Sequence, residues 1–262
     1  MSVDQKGMKR HFSKIASSYK EMRTTDIEPI LFINKKLKGL TGIKAADIGC
    51  GAGRYDLMFF KYLNNLFLIC VDVNELMLEQ TSNYLKGNGI TNFKMMKSDM
   101  NDLPLEDGSM DCIFTFNAIH HFDFVKFLVS ATKIIKKTGF IFIYTRLRSQ
   151  NARNIWGRYF PLFLEKEDRL YELDEMETMI NSAGSLTIES IKNFKYKRSS
   201  TLTQLVSKVK GRHYSTFSLY EEVELEDSLK KFRRNIINNF SDPAQVEWFD
   251  ENILLVLRHK NF

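Results

Sequence analysis

A doubly wound α/β fold, built on a seven-stranded, mostly parallel sheet and carrying a helical cap insert, is predicted from two features of the sequence. Between Ile43 and Thr145 short apolar runs of strand length alternate with longer segments of helical period, and a glycine-rich turn joins the first run to the first such segment. Alternation of this kind implies a parallel sheet, because each parallel strand needs a crossover that a helix supplies. Right-handed crossovers leave few topologies, with ligands expected at the carboxyl ends of the strands, here after Gly49, Asp72, Ser98 and Asn117. The 262 residues, 44% of them hydrophobic, are enough to bury one large core.

In chain order, the strand-like runs of this core lie at 43–49, 66–73, 92–98, 111–117 and 139–145, and helical periods lie at 54–63, 74–89 and 122–137. Beyond them, residues 173–184 have helical spacing and end at Gly184, and 186–197 and 252–260 read as two further strands closing the sheet edge. Arg198 to Glu251, with helical stretches at 201–210 and 223–240, is too long for a hairpin loop and reads as the cap insert. The amphipathic segment near the N-terminus is a candidate lid. These boundaries describe one domain over 1–262: a core of about 40–197 and 251–262, a lid of about 8–38 and an insert of about 198–250.

Composition excludes several classes. Cys50, Cys70 and Cys112 lie far apart with no CxxC or Cys/His spacing, so neither a disulfide framework nor a metal site is expected, which fits a reducing cytoplasm. No apolar signal stretch opens the chain and no run approaches the roughly 20 apolar residues of a bilayer span, so membrane insertion is not expected. A net charge of +6 permits an anionic partner such as RNA, acidic lipid or an acidic carrier without singling one out.

The most informative segment runs from Ala45 through Asp47, Gly49, Cys50, Gly51 and Gly53 to Arg54: a buried-strand pattern, a glycine turn and a helix start. Glycines at 49, 51 and 53 allow a tight turn and close approach of a ligand to the backbone. A dinucleotide fingerprint starting at Gly49 needs glycine at 54, where Arg54 stands, which weakens a nicotinamide reading. Asp72 ends the second strand 19 residues after Gly53, where a carboxylate can accept two ribose hydroxyls.

This DIGCGAG segment resembles the first motif of class I S-adenosylmethionine (SAM)-dependent methyltransferases, and the resemblance extends over roughly residues 8 to 145. It implies a Rossmann-like core with SAM as cofactor. By that resemblance the glycine turn, Cys50 included, passes under the amino-acid part of SAM while Asp47 organises its ammonium end. Asp72 and the adjoining Val73 serve the ribose, Asp99 receives the adenine amino group with Met100 beside it, and Asn117 faces the methionine portion. The segment His11 to Tyr19 is similar to the start of methyltransferases of ubiquinone, menaquinone and biotin biosynthesis, where a tyrosine covers SAM; this makes Tyr19 a candidate lid residue. Arg23 is a candidate for the SAM carboxylate or, alternatively, a solvated helix charge.

His121, in the Asn117 to Phe122 segment, is the candidate catalytic base, since imidazole titrates near neutral pH; packing or capping of the turn is the alternative for it and for His120. Many methyl transfers need no base, because the sulfonium already activates the methyl group and the protein mainly aligns the acceptor.

Three functional readings remain at this stage: a small-molecule methyltransferase with its acceptor under the cap, an RNA methyltransferase acting on ribose or a ring nitrogen, and a SAM-binding protein without catalysis. No Asn-Pro-Pro-aromatic segment stands at Asn117, and no Pro-Cys or Thr-Cys dipeptide offers a cytosine-directed nucleophile. The stretch from Tyr144 to Phe160 combines arginines with aromatics and is a candidate acceptor-facing segment. Residues 192–212 are basic without an acidic residue; Glu221, Glu222, Glu224, Glu226 and Asp227 just beyond are candidates to neutralise them.

Overall fold

The computed structural model of the chain describes residues 24–99 and 103–260. The element order is α1 (Glu28–Lys36), β1 (Ile43–Ile48), α2 (Arg54–Tyr62), β2 (Leu66–Asp72), α3 (Glu75–Gly87), β3 (Phe93–Lys97), β4 (Met110–Phe116), α4 (Phe124–Ile134) and β5 (Ile135–Thr145). It continues with α5 (Arg148–Arg153), α6 (Ile155–Tyr159), α7 (Phe163–Lys166), α8 (Leu173–Ser182), β6 (Leu186–Ser200), α9 (Leu202–Lys210), α10 (Glu222–Asn239) and β7 (Val246–His259). The seven strands form one sheet in the order β3-β2-β1-β4-β5-β7-β6. Strands β1 to β5 pair in parallel and β7 runs antiparallel to β5. The strand order reverses between β1 and β4, which is where a doubly wound sheet opens a crevice at its carboxyl edge.

The chain divides into two compact units. The described residues of the first are 24–99, 103–145, 171–193 and 253–260, and those of the second are 146–170 and 194–252. In the first, the central strands are buried on both faces: Ala45, Ala46, Ile48, Leu68, Val71, Ile113, Phe114, Ile141, Phe142 and Ile143 are almost fully enclosed. That is why these runs read as continuous apolar segments. Residues paired in register share a face, so Asp47, Cys70 and Phe114 point to one side of the sheet. Phe59 of α2 stacks on Phe114 there, with ring centroids 4.2 Å apart. Asn74 starts α3 by accepting the Leu76 and Met77 N–H groups at 3.1 and 3.4 Å, and Asp123 caps α4 through the Lys126 N–H.

One expected boundary moves. The helical period at 122–137 ends as a helix at Ile134, and Ile135 begins β5. Ile135 pairs with Met110, the register then shifts, and Asp111 holds Lys136 at 2.7 Å while accepting the Lys44 N–H at 2.9 Å. The pattern of Ile134 and Ile135 suits either a helix or a strand; pairing with β4 decides. The outer strands β6 and β7 are also longer than their apolar runs.

The second unit has its own aromatic core, with Trp156, Phe160, Phe163, Phe217 and Phe232 buried together. The aromatics of the Tyr144–Phe160 segment therefore divide: Trp156 and Phe160 fill this core, and Tyr159 meets Phe240 edge-on. Two of its arginines also find carboxylates inside the unit, Arg146 with Asp250 and Arg153 with Glu251. Residues of the basic stretch are neutralised mainly by β7 rather than by the acidic run at 221–227: Lys195 meets Glu251, Lys197 meets Glu247 and Arg198 meets Asp250. Arg212 turns to Glu222. Strand pairing brings β7 beside β6, an arrangement that charge spacing along the chain does not disclose.

A buried polar knot closes this unit. Glu167, 4% exposed, holds Arg169 through both carboxylate oxygens at 2.9 and 2.7 Å and accepts the Thr216 hydroxyl. Glu167→Gln is expected to destabilise the protein by about 3–5 kcal/mol, because the buried Arg169 guanidinium loses its counter-charge and one acceptor oxygen becomes an amide donor; denaturant unfolding followed by tryptophan fluorescence measures it, with Trp156 as reporter.

Candidate cofactor site

The turn between β1 and α2 is shaped by backbone conformations that side chains rarely adopt. Gly49, Gly51 and Gly53 have φ of 79°, 57° and 76°. A Cβ on Gly49 would stand 2.6 Å from the Ala118 Cβ, so glycine lets the segment after β4 lie against the turn. On the other side Thr81 of α3 donates its hydroxyl to the Gly51 carbonyl at 2.6 Å and crowds Gly53. Cys50 is half-buried in this turn and hydrogen bonds through its N–H to the Val71 carbonyl at 3.1 Å.

Asp72 closes β2 beside the turn. Its Oδ2 accepts the Gly51 N–H at 3.0 Å and its Oδ1 accepts the Asn74 N–H at 2.8 Å, with Val73 N–H assisting. Each carboxylate oxygen keeps a second lone pair, so the group is aimed and still able to accept a vicinal diol. Burial pushes the Asp72 carboxyl above its ordinary range, against the pull of these N–H groups.

Asp99 follows β3 and is exposed; Ser98 donates to its carbonyl at 3.1 Å. Asn117 follows β4 directly with φ of 54°, its N–H donating to the Tyr144 carbonyl at 2.7 Å. A non-glycine residue in the left-handed region at a strand end points to a functional constraint, and asparagine tolerates it best. His120 and His121 form the short helical turn that follows, both half-buried with ring centroids 4.1 Å apart. Tyr55, Phe116 and Tyr144 form an aromatic cluster, with Tyr55 and Phe116 at 4.7 Å and Phe116 and Tyr144 at 5.1 Å.

The remaining candidate, Asp47, lies on β1 beneath the turn. It is 2% exposed and faces Asp56 of α2 in the interior. Tyr19, Arg23 and Met100 lie outside the described residues, as does the part of the lid that precedes residue 24. Two contributors escaped the sequence reading, Asp56 and Thr81. Asp56 carries a signal: an acidic residue three positions before the buried Phe59 on the same helix stripe.

The glycine turn, the strand-end carboxylate and the sheet order occur together in residues that match a known family model: 46–143 match the one described as a methyltransferase domain. Over this segment the chain is similar to methyltransferase domains. It lies within the fold of solved methyltransferases. A candidate methyltransferase of an antibiotic biosynthesis pathway from Anabaena variabilis superposes with a TM-score of 0.65, at 21% identity over 89% of this chain and 98% of that one. Geranyl diphosphate C-methyltransferase of Streptomyces coelicolor, solved with Mg2+, geranyl diphosphate and S-adenosylhomocysteine, gives 0.55 at 13% identity over 89% and 79%. Among curated proteins, an uncharacterised chloroplastic methyltransferase of Arabidopsis thaliana is 23% identical over 143 residues, which is 53% of this chain and 41% of that protein. The chain thus spans about two fifths of that relative's length.

The residues of this segment fit an adenosyl cofactor: a turn with three left-handed glycines and, beside it, a carboxylate aimed by two backbone bonds with a lone pair to spare on each oxygen. Among the described residues no group of three or more His, Cys, Asp or Glu is placed to hold a metal. Nor is any helix among them long and apolar enough to cross a membrane.

Proposed function

We propose that this chain transfers the methyl group of SAM to a small-molecule acceptor. The anchoring of Asp72 by the Gly51 N–H carries the reading, because it ties the ribose-accepting carboxylate to the turn that receives the amino-acid end. SAM supplies an electrophilic methyl on a sulfonium. Gly49, Cys50, Gly51 and Gly53 give backbone approach, Asp72 with Val73 accepts the ribose hydroxyls, Asp99 takes the adenine amino group, and Asn117 lies beside the methionine portion. The chain's further work is to align the acceptor atom and exclude water.

A small acceptor is favoured over RNA because Lys195, Lys197, Arg198 and Arg212 already have carboxylate partners, which reduces the charge left to track a phosphate backbone. The insert of about 198–250 is the segment we assign to acceptor recognition within a single methyltransferase domain, with Tyr19 and Arg23 in the lid of about 8–38. Calorimetry with SAM, S-adenosylhomocysteine and NAD tests the cofactor: micromolar binding of the two adenosyl ligands and none of NAD is expected, and the reverse preference overturns the reading. Labelled SAM with cell extract then separates the acceptors, since label in protein-free small molecules supports the proposal and label in RNA rejects it.

His121 is assigned as the base for acceptors that carry a proton. His121→Ala should slow turnover about 100-fold and leave SAM affinity unchanged, in line with typical general-base contributions; normal turnover returns the residue to a packing role.

A further inference from the structure

The least ordinary feature of the cofactor side of the sheet is a pair of carboxyl groups sealed beneath the glycine turn. Asp47 on β1 and Asp56 on α2 are 2% and 0% exposed. Cys70, across from Asp47 on β2, donates its thiol to Asp56 Oδ1 at 3.6 Å, while Asp47 Oδ1 and Asp56 Oδ2 have no hydrogen-bond partner. Two ionised carboxylates cannot share such a site, so Asp47 keeps a proton and donates it to Asp56. Among the described residues, the titratable groups facing the pair are Cys50 in the turn and Cys70 and Asp72 on β2, none of them cationic. Arg54, at the start of α2, is turned away to the Thr24 carbonyl and the face of Tyr55. Thr81 on the α3 side is engaged with Gly51, and on β5 the Tyr144 ring meets Tyr55 and Phe116.

We infer that Asp56 is a positioning residue that sets the charge under the cofactor turn: when the Asp47–Asp56 pair ionises, one negative charge appears there and favours the sulfonium-bearing methyl donor over its neutral-sulfur product. This rests on the SAM reading above. The pair carries no net charge while both carboxyls are protonated; Asp56 ionises first, and the proton on Asp47 then bridges the two. Burial raises both groups, Asp47 further, helped by the neighbouring Asp56, and Asp56 to about 7. Donor and product share the adenosine and amino-acid parts and differ by one methyl and one positive charge. A buried anion therefore discriminates between them through charge, by on the order of fivefold at a moderate effective dielectric.

The test is the ratio of SAM to S-adenosylhomocysteine affinity, measured by calorimetry from pH 5.5 to 8.5 on wild type and on Asp56→Asn, which mimics the neutral acid. In the wild type the ratio should rise about fivefold through pH 7, and in the variant it should stay flat. A flat wild-type profile overturns the inference. So does a rise that persists in the variant, which would belong to His120 and His121. Failure of either ligand to bind wild type at any pH instead rejects the SAM reading itself.

Stability provides a second reading independent of ligand. A carboxyl raised from 3.8 to about 7 on folding binds more protons folded than unfolded, so stability falls as pH rises from about 4 to 7. The wild-type melting temperature should decline over that window more steeply than that of Asp56→Asn. Parallel profiles contradict the shared proton, and if Asp56→Asn fails to fold, Asp56→Ala, which also removes the titrating carboxyl, takes its place in both measurements.

Discussion

Asp72→Ala should weaken SAM binding about tenfold to 100-fold, the equivalent of the roughly 1.5–3 kcal/mol carried by hydrogen bonds to a charged group. The carboxylate has two duties. It is aimed by the Gly51 and Asn74 N–H groups at 3.0 and 2.8 Å, and in the proposed function its remaining lone pairs accept the ribose hydroxyls. Its loss removes the ligand bonds and frees the turn. Asp72→Asn retains the shape and one acceptor oxygen and should fall between wild type and alanine. Calorimetry with a melting curve for each variant checks this: unchanged affinity in a folded alanine variant would remove Asp72 from the site and with it the strand register on which the other assignments stand.

Gly49→Ala should have a larger effect on the fold itself. Two costs add at this position. The left-handed backbone, φ 79°, disfavours any L side chain by about 1–2 kcal/mol. The new methyl would stand 2.6 Å from the Ala118 Cβ and 2.9 Å from the Phe122 ring, an overpacking that typically costs about 1–3 kcal/mol. Together they lower the melting temperature by about 5–15 °C for a chain of this size. Gly184 separates the two costs, because it has a similar φ of 78° and open space around its Cβ position. Gly184→Ala should show the backbone cost alone, a fall of only a few degrees. Equal losses at the two positions would mean that close packing of the segment after β4 contributes nothing.

Much of the first unit was legible because its information is local. The run from Ala45 to Ile48 is apolar on both faces apart from Asp47, the glycines follow at alternate positions, and Asp72 ends the next strand at the expected separation. What escaped depends on pairing. Ile135 belongs to β5 because Met110 lies opposite it, and no periodicity within residues 122–137 distinguishes that from another half-turn of helix. The basic stretch is balanced by Glu247, Asp250 and Glu251, some 50 residues away, because β7 lies beside β6.

Asp47 shows the division most sharply. Its motif position reads as a ligand contact, yet a carboxyl on that face of β1 is roofed by α2 and meets Asp56. Burial and the neighbour nine residues further along the chain push its carboxyl well above the ordinary range.

The sequence by itself therefore determined the doubly wound core, the location of the turn and the identity of the strand-end carboxylate, since periodicity and glycine placement act within a few residues. Only the tertiary structure decided which charges are neutralised, which aromatics are packing and which carboxyl groups face one another. Those outcomes depend on strand order and helix docking, which bring together groups whose separation along the chain says nothing about their distance in space.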